Sequence, residues 1–396
     1  MSERRVSTRM TSTAEATAAT DMVQLLTPDG ELRQDGVYSP YLADVDAEQM
    51  RGFYRDMALT RRFDEEATAL QRQGQLALWV PLRGQEAAQI GSGRATEARD
   101  YIFPTYREHG VALTRDVDFP QMLRIFRGIS NGGWDPRENN FHMYTMVLAA
   151  QMPHAAGYAM GIQRDQAGWD PERLAAEGTA VVAYFGDGSS SEGDAHESMV
   201  FAASNQAPVV FFCQNNQWAI SVPFEVQSRV PLAQRAAGYG FPGIRVDGND
   251  VLAVHAVTRW ALEHARSGLG PVLIEAQTYR VGAHTTADDP TKYRTTLEEE
   301  TWGRKDPMGR LEKYLRAQDL VDDDFFAELA VDGDEMAARV RREALAFPAP
   351  TLADSFANVY AEAHPLIREE LEFHRHYEAG FADADLSAAE AQGDAR

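Results

Sequence analysis

Apolar and polar positions along this chain follow two periods. From Asp46 to Gln73, Met50, Phe53, Tyr54, Met57 and Ala58 recur at the three- and four-residue spacing of a helix face. The centre then alternates. Thr179–Phe185 is a β-branched and aromatic run that stops at Gly186, and Val209–Cys213 is a second run that ends in the polar loop QNNQWAIS. Pro271–Tyr279 (PVLIEAQTY) is a third. Helical spacing fills the intervals at Ala195–Asn205 and Val251–Arg266. Short continuous apolar strands separated by helices predict βαβ units, with a parallel sheet covered on both faces. From Pro307 onward the pattern is helical, for example at Leu311, Leu315 and Ala317, and Ala330–Pro350, with Gly333 and a closing FPAP, marks a join to the last helix.

Composition narrows the function classes. The 396 residues carry a net charge of −22, which opposes binding to phosphate backbones or anionic lipid, and no local basic patch offsets it. No apolar run approaches the roughly 20 residues needed to span a bilayer, so neither nucleic acid nor membrane is expected as a partner. One cysteine, Cys213, excludes an intrachain disulfide and a multi-cysteine zinc site. A soluble protein of a reducing compartment is expected. Residues 1–20 are rich in Ser, Thr and Ala without apolar period and read as a disordered arm; an organelle transit peptide is the competing reading, opposed by Glu3 and Glu15. From about Phe381 the chain reads as an acidic, solvated tail.

The chemistry concentrates in VAYFGDGSSSEGDAHE. A strand ends at Phe185, Asp187 follows between Gly186 and Gly188, and a helix begins about seven residues later. Ligands of parallel α/β sheets collect beyond the carboxyl ends of strands, glycines let the backbone approach a phosphate, and free amides of a helix start favour an anion. An aspartate there is set to hold a cation. Asn216 lies 29 residues after Asp187, one β–loop–α–β step, so two neighbouring strand ends would offer hard oxygen ligands of the kind Mg²⁺ shares with phosphates. The bland alternative is that Asn215 and Asn216 cap a turn.

GDG followed at this spacing by NN resembles the thiamine diphosphate-binding motif. RGQEAAQIGSG, PTYREHG, FGDGSSSEGDAHESMVFAA, CQNNQWAIS, GYGFPGIRVDGNDV and EAQTYRVGAHTTADDPTKYR together resemble the alpha subunit of the E1 component of 2-oxoacid dehydrogenase complexes, from about Tyr38 to Phe373. The resemblance implies that Asp187, the Asn216 side chain and the Trp218 carbonyl bind Mg²⁺. It implies that Tyr106, Arg107 and the amides of Gly188 and Ser189 hold the cofactor diphosphate, and that Met146 and Leu148 meet its aminopyrimidine. His284, in AHTTADD, matches the active-site histidine, and Arg280 with Asp288 or Asp289 would order its loop. That loop is rich in hydroxyls and poor in apolar anchors, so ligand binding is expected to order it. Three places depart from the pattern. Gln214 replaces an arginine often found before NN; Thr145, Met146, Val147 and Ala150 lack the hydroxyl set of a potassium site, although Gln151 is retained; and Thr285 stands where animal members carry a phosphorylatable serine.

The resemblance thus implies an α/β thiamine diphosphate-binding fold, a parallel sheet flanked by helices on both faces, with N- and C-terminal helical extensions. Its parts are an extended or disordered arm over 1–37, the cofactor-binding domain over 38–330, a helical segment over 331–380 and a disordered acidic tail over 381–396. The implied reaction is oxidative decarboxylation of branched-chain 2-oxo acids such as 2-oxoisovalerate, with acyl transfer to the lipoyl group of E2; pyruvate is the alternative substrate. The implied partners are an E1 beta subunit, in an α2β2 heterotetramer, and the lipoyl domain of E2. The implied location is the bacterial cytoplasm, or alternatively a mitochondrial matrix. Two other classes fit less well. A nicotinamide dehydrogenase would need a third glycine after Gly91 and Gly93, and a non-catalytic relative would lack Asp187, Asn216 or His284.

Overall fold

Five parallel strands form the central sheet of the structure, a computed structural model that describes residues 22–130 and 132–393. They are β1 (Tyr101–Phe103), β2 (Val181–Gly186), β3 (Val209–Asn215), β4 (Gly243–Asp247) and β5 (Val272–Gln277), in the spatial order β1-β2-β3-β5-β4. The three expected apolar runs are the three inner strands; β1 and β4, at the edges, are too short for an apolar run to betray them. Register sets Gly186 beside Gln214 and Asn215 beside Gln277, so the carboxyl ends of β2, β3 and β5 lie level.

Alternation along the strands gives each sheet face its own core. Val181, Ala183 and Phe185 of β2, with Val209, Phe211 and Cys213 of β3, pack under the helices α3 (Gln151–Asp165) and α4 (Gly193–Asn205). The opposite face meets α2 (Glu86–Gly93), a helix buried along its whole length, where the Tyr184 hydroxyl donates to Ser92 Oγ at 2.8 Å. α5 (Val251–Arg266) lies against the sheet beside α2, and α1 (Ala47–Arg72) and α6 (Pro307–Ala317) join them through Phe53, Met57, Ile90, Leu252, Leu311 and Leu315. α1 starts where its pattern predicts, because Asp46 and Gln49 form a reciprocal capping box.

The ends of the chain behave in their own ways. The arm expected over residues 1–20 lies outside the described residues. From residue 22 the extended chain is docked: Val23 exchanges backbone bonds of 2.9 Å with Arg245 and Asp247 beside β4, and the N–H groups of buried Leu25 and Leu26 both donate to Asp250. The chain divides into two compact units at residues 345/346, within the expected join at Ala330–Pro350. Gly333 is not the break; helix α7 (Asp323–Ala346) runs through it. In the second unit the backbone of the acidic tail continues a helix, α8 (Pro365–Gly393), to which its many alanines are suited. Among the described residues, no helix is long and apolar enough to cross a membrane.

Candidate active site

The level carboxyl ends of β2 and β3 open into a cleft of about 520 Å³. All ten residues singled out by sequence line it: Tyr106, Arg107, Met146, Leu148, Asp187, Gly188, Ser189, Asn216, Trp218 and His284. They arrive from five separate segments, so the sheet, not sequence proximity, assembles them. Asp187 is the first residue after β2, in the tight turn Asp187–Ser191 that leads into α4. Its buried carboxylate accepts from the Asn216 N–H at 3.3 Å and from Gln227 Nε2 at 3.1 Å. Gly188 must be small, since a Cβ there would come within 2.9 Å of the Ala219 Cβ.

Asn216 follows β3. Its Oδ1 accepts the Trp218 N–H at 3.3 Å, and its Nδ2 donates to Gln85 Oε1 at 3.3 Å. The Trp218 carbonyl accepts from Arg280 at 3.1 Å and keeps a second lone pair. One carboxylate, one amide oxygen and one main-chain carbonyl are hard ligands that leave most of an octahedron to phosphate oxygens and water, as Mg²⁺ prefers. Among the described residues, no group of three or more His, Cys, Asp and Glu side chains could hold a metal by itself. Hard oxygen donors of this kind suit a cation shared with a ligand.

The cationic side of the cleft is more unusual. Arg107 is buried and donates to the Pro81 carbonyl and, at 3.1 Å, to the His284 carbonyl. Its neighbour Glu108 turns away, accepting instead from Thr105 and from Gln214 Nε2 at 2.5 Å. Arg107 and Glu108, though adjacent and both buried, therefore do not form a surface ion pair with each other. Gln214, where an arginine would face the diphosphate, is held in this buried chain and supplies no charge. Buried Arg280 binds the carbonyls of Trp218 and Ile220 and the Tyr293 hydroxyl. Among the described residues, neither guanidinium has a carboxylate at ion-pair distance. Burial lowers the pKa of both, that of Arg280 to about 10 with Arg107 adding to the effect. Arg107 lines the cleft, and a buried guanidinium without an ion-pair partner favours an anion beside it.

His284 lies between the two arginines. Its Nδ1 is 3.3 Å from Arg107 and 3.4 Å from Arg280. Guanidinium groups only donate, so Nδ1 accepts and the proton resides on Nε2. Burial, then the fields of Arg107 and Arg280, push its pKa down to about 3, against the opposing pull of Asp288. Asp187 moves the other way, up to about 6, because burial outweighs its hydrogen bonds and the Arg280 field. The loop of His284 is knitted by polar ties: the His284 N–H donates to Asp288 at 2.9 Å, the Tyr293 hydroxyl also reaches Asp288, and Thr286 exchanges bonds with Trp79. Of the two acids named for ordering it, Asp288 does so, whereas Asp289 caps the following turn.

Met146 and Leu148 are 44 % and 42 % exposed and stand on the rim, so they are not core residues. Leu78, Val80 and Ile220 also line the cleft and carried no sequence signal. Gln85 and Glu108 lay inside quoted motifs, yet only their buried position in the fold reveals their contacts.

Comparison with known proteins adds independent findings. Residues 54–344 match the family described as Dehydrogenase E1 component. The chain is 41% identical over 351 residues to the 3-methyl-2-oxobutanoate dehydrogenase subunit alpha of Mycobacterium tuberculosis, covering 88% of this chain and 92% of that one. It is 38% identical over 306 residues to the pyruvate dehydrogenase E1 component subunit alpha of Staphylococcus epidermidis, covering 77% and 79%.

Proposed function

Because the chain belongs to the dehydrogenase E1 component family, whose cofactor is thiamine diphosphate, we propose that it is the alpha subunit of a branched-chain 2-oxo acid dehydrogenase. The higher identity and longer coverage favour the 3-methyl-2-oxobutanoate relative over the pyruvate one. The observation that carries the reading is buried Arg107 and buried Asp187 lining one cleft together with His284, whose Nδ1 faces both Arg107 and Arg280.

When bound, the cofactor supplies a nucleophilic carbon and an electron sink for loss of carbon dioxide from the 2-oxo acid. Arg107, Tyr106 and the Gly188 and Ser189 amides would hold its diphosphate, with Arg107 as the permanent charge. Asp187, Asn216 and the Trp218 carbonyl would hold Mg²⁺ against the same phosphates. Met146 and Leu148 would meet the aminopyrimidine and exclude water. His284 presents an Nε2 proton; an anion beside Arg107 and Arg280 would offset their field, while burial, the larger cause of its lowered pKa, would remain. The imidazole can hold or pass a proton during acyl transfer to the lipoyl arm of E2. Completion of the site by a beta subunit in an α2β2 assembly, and a cytoplasmic location, belong to the same reading.

The test is a panel of 2-oxo acids assayed with the beta subunit, thiamine diphosphate and Mg²⁺. Branched-chain acids should exceed pyruvate in kcat/KM, and the chain alone should be inactive. A preference for pyruvate would reassign the substrate, and failure of cofactor and metal to raise thermal stability would overturn the cofactor assignment.

A further inference from the structure

The motif RGQEAAQ places Gln85 at the start of α2, fully buried and lining the cleft beside Asn216. Its backbone has little freedom. Gly84, at φ +96°, lies so close to the main chain of β5's exit that a Cβ would fall 2.1 Å from the Tyr279 carbonyl. The Gly84 N–H donates to Glu86 at 2.9 Å, its carbonyl accepts from Thr278 at 2.6 Å, and Glu86 is itself paired with Arg61 at 2.7 Å. The Gln85 side chain is therefore delivered from a clamped turn.

Carboxamides can face either way, and hydrogen-bond partners decide which. Here one orientation matches the donors and acceptors between Trp218, Asn216 and Gln85. The Trp218 N–H can only donate, which requires the oxygen of Asn216 on its side. Asn216 Nδ2 then points at Gln85, which must answer with its oxygen, as it does at 3.3 Å. Reversal of either amide would set two donors against each other. Gln85 Nε2 is left buried without a partner. From this relay, and resting on the reading of Asn216 as a metal ligand, we infer that Gln85 is a positioning residue for the cation site. Its carboxamide oxygen holds Asn216 Nδ2 away from the cation and so keeps Asn216 Oδ1 available to it.

The groups that orient metal ligands typically change metal affinity by about 10- to 100-fold when removed. The test uses the full chain assembled with its beta partner, Mn²⁺ in place of Mg²⁺, and thiamine diphosphate, with bound Mn²⁺ read by electron paramagnetic resonance. Gln85→Met, which keeps length but removes the acceptor, should weaken Mn²⁺ by about 10-fold or more. Gln85→Glu, which keeps an acceptor, should stay within about threefold of the parent, a rescue that mere space filling would not produce. Melting temperatures establish that both variants fold, and an unfolded Gln85→Met leaves Gln85→Glu to decide the matter. Parent-like Mn²⁺ binding by Gln85→Met, or a Gln85→Glu affinity reduced by about 10-fold or more, would overturn the inference alone. A parent chain that binds no Mn²⁺ would overturn the metal reading beneath it.

Discussion

The floor and the rim of the cleft are built on opposite principles. On the floor, Asp187, Asn216, Gln85, Gln214 and Glu108 are all buried, and each is held by side-chain or backbone bonds from a different segment. On the rim, Met146, Val147, Leu148 and Ile220 are apolar and open to solvent, Val147 at 71 %. A preformed polar floor suits a ligand whose charge must be met without rearrangement. An uncovered apolar rim suits a surface that another molecule closes. The contrast teaches that the polar groups of this cleft are buried and fixed by bonds, whereas the apolar groups of its rim are left open.

Breaking the floor should have the largest effects. Asn216→Ala is expected to abolish tight binding of Mg²⁺-thiamine diphosphate while leaving the melting curve of the cofactor-free chain unchanged, as calorimetry and circular dichroism would show. His284→Ala should lower turnover through the lipoyl route by about 10²- to 10⁴-fold. A slower decarboxylation with an artificial electron acceptor should survive, and parent rates through the lipoyl route would remove His284 from the site. Gly84→Ala should destabilise the whole chain by about 2–4 kcal/mol, because it adds both a left-handed strain and a clash with the Tyr279 carbonyl. Denaturant titration measures that loss.

A pH test sharpens the comparison at the wall behind Arg107. His109 is buried, stacked on Trp79 at 4.4 Å, and its pKa is pushed down to about 3, chiefly by burial. The unfolded chain takes up its proton near pH 6.5 and the folded chain does not, so this residue weakens stability as pH falls from 6.5 toward 3 and has no effect above. Buried Asp64, pushed up to about 7 by burial, works in the opposite sense, weakening stability as pH rises from 4 to 7. The readout is therefore the difference between the parent and His109→Gln, which should shrink by up to about 1.4 kcal/mol per pH unit below 6.5. A difference that does not change with pH would place the proton on His109 in both states. The smallest effect belongs to the rim: Val147→Ser should alter the stability of the lone chain by less than about 0.5 kcal/mol. Its association with the beta subunit should weaken measurably.

Much of the floor was legible because its polar residues follow strand ends. Gly186, Asp187 and Asn216 announce themselves as polar residues that stop apolar runs, and a parallel sheet then forces their meeting. The inner strands and α5 follow from periodicity for the same reason. What the sequence hid depends on contacts between distant segments. Nothing local to Glu108 shows that it turns from Arg107 toward Gln214, and nothing local to Gln85 shows an amide relay. The edge strands β1 and β4 are too short to register, and the docking of residues 22–26 depends on Asp250, more than 220 positions away. The ties of the His284 loop were missed because they are polar, whereas expectation weighed only its lack of apolar anchors.

The unpaired Arg107 and Arg280 have a consequence for the life of the protein outside catalysis. On the reading proposed above, a newly made chain that has not met its cofactor carries two buried like charges beside His284, and the arriving diphosphate would be their counter-ion. Supply of the vitamin-derived cofactor would then act on how long each copy lasts, since a ligand that binds only the folded chain lowers the unfolded fraction open to proteases. Cells starved of thiamine should therefore hold less of this protein, with its transcript unchanged.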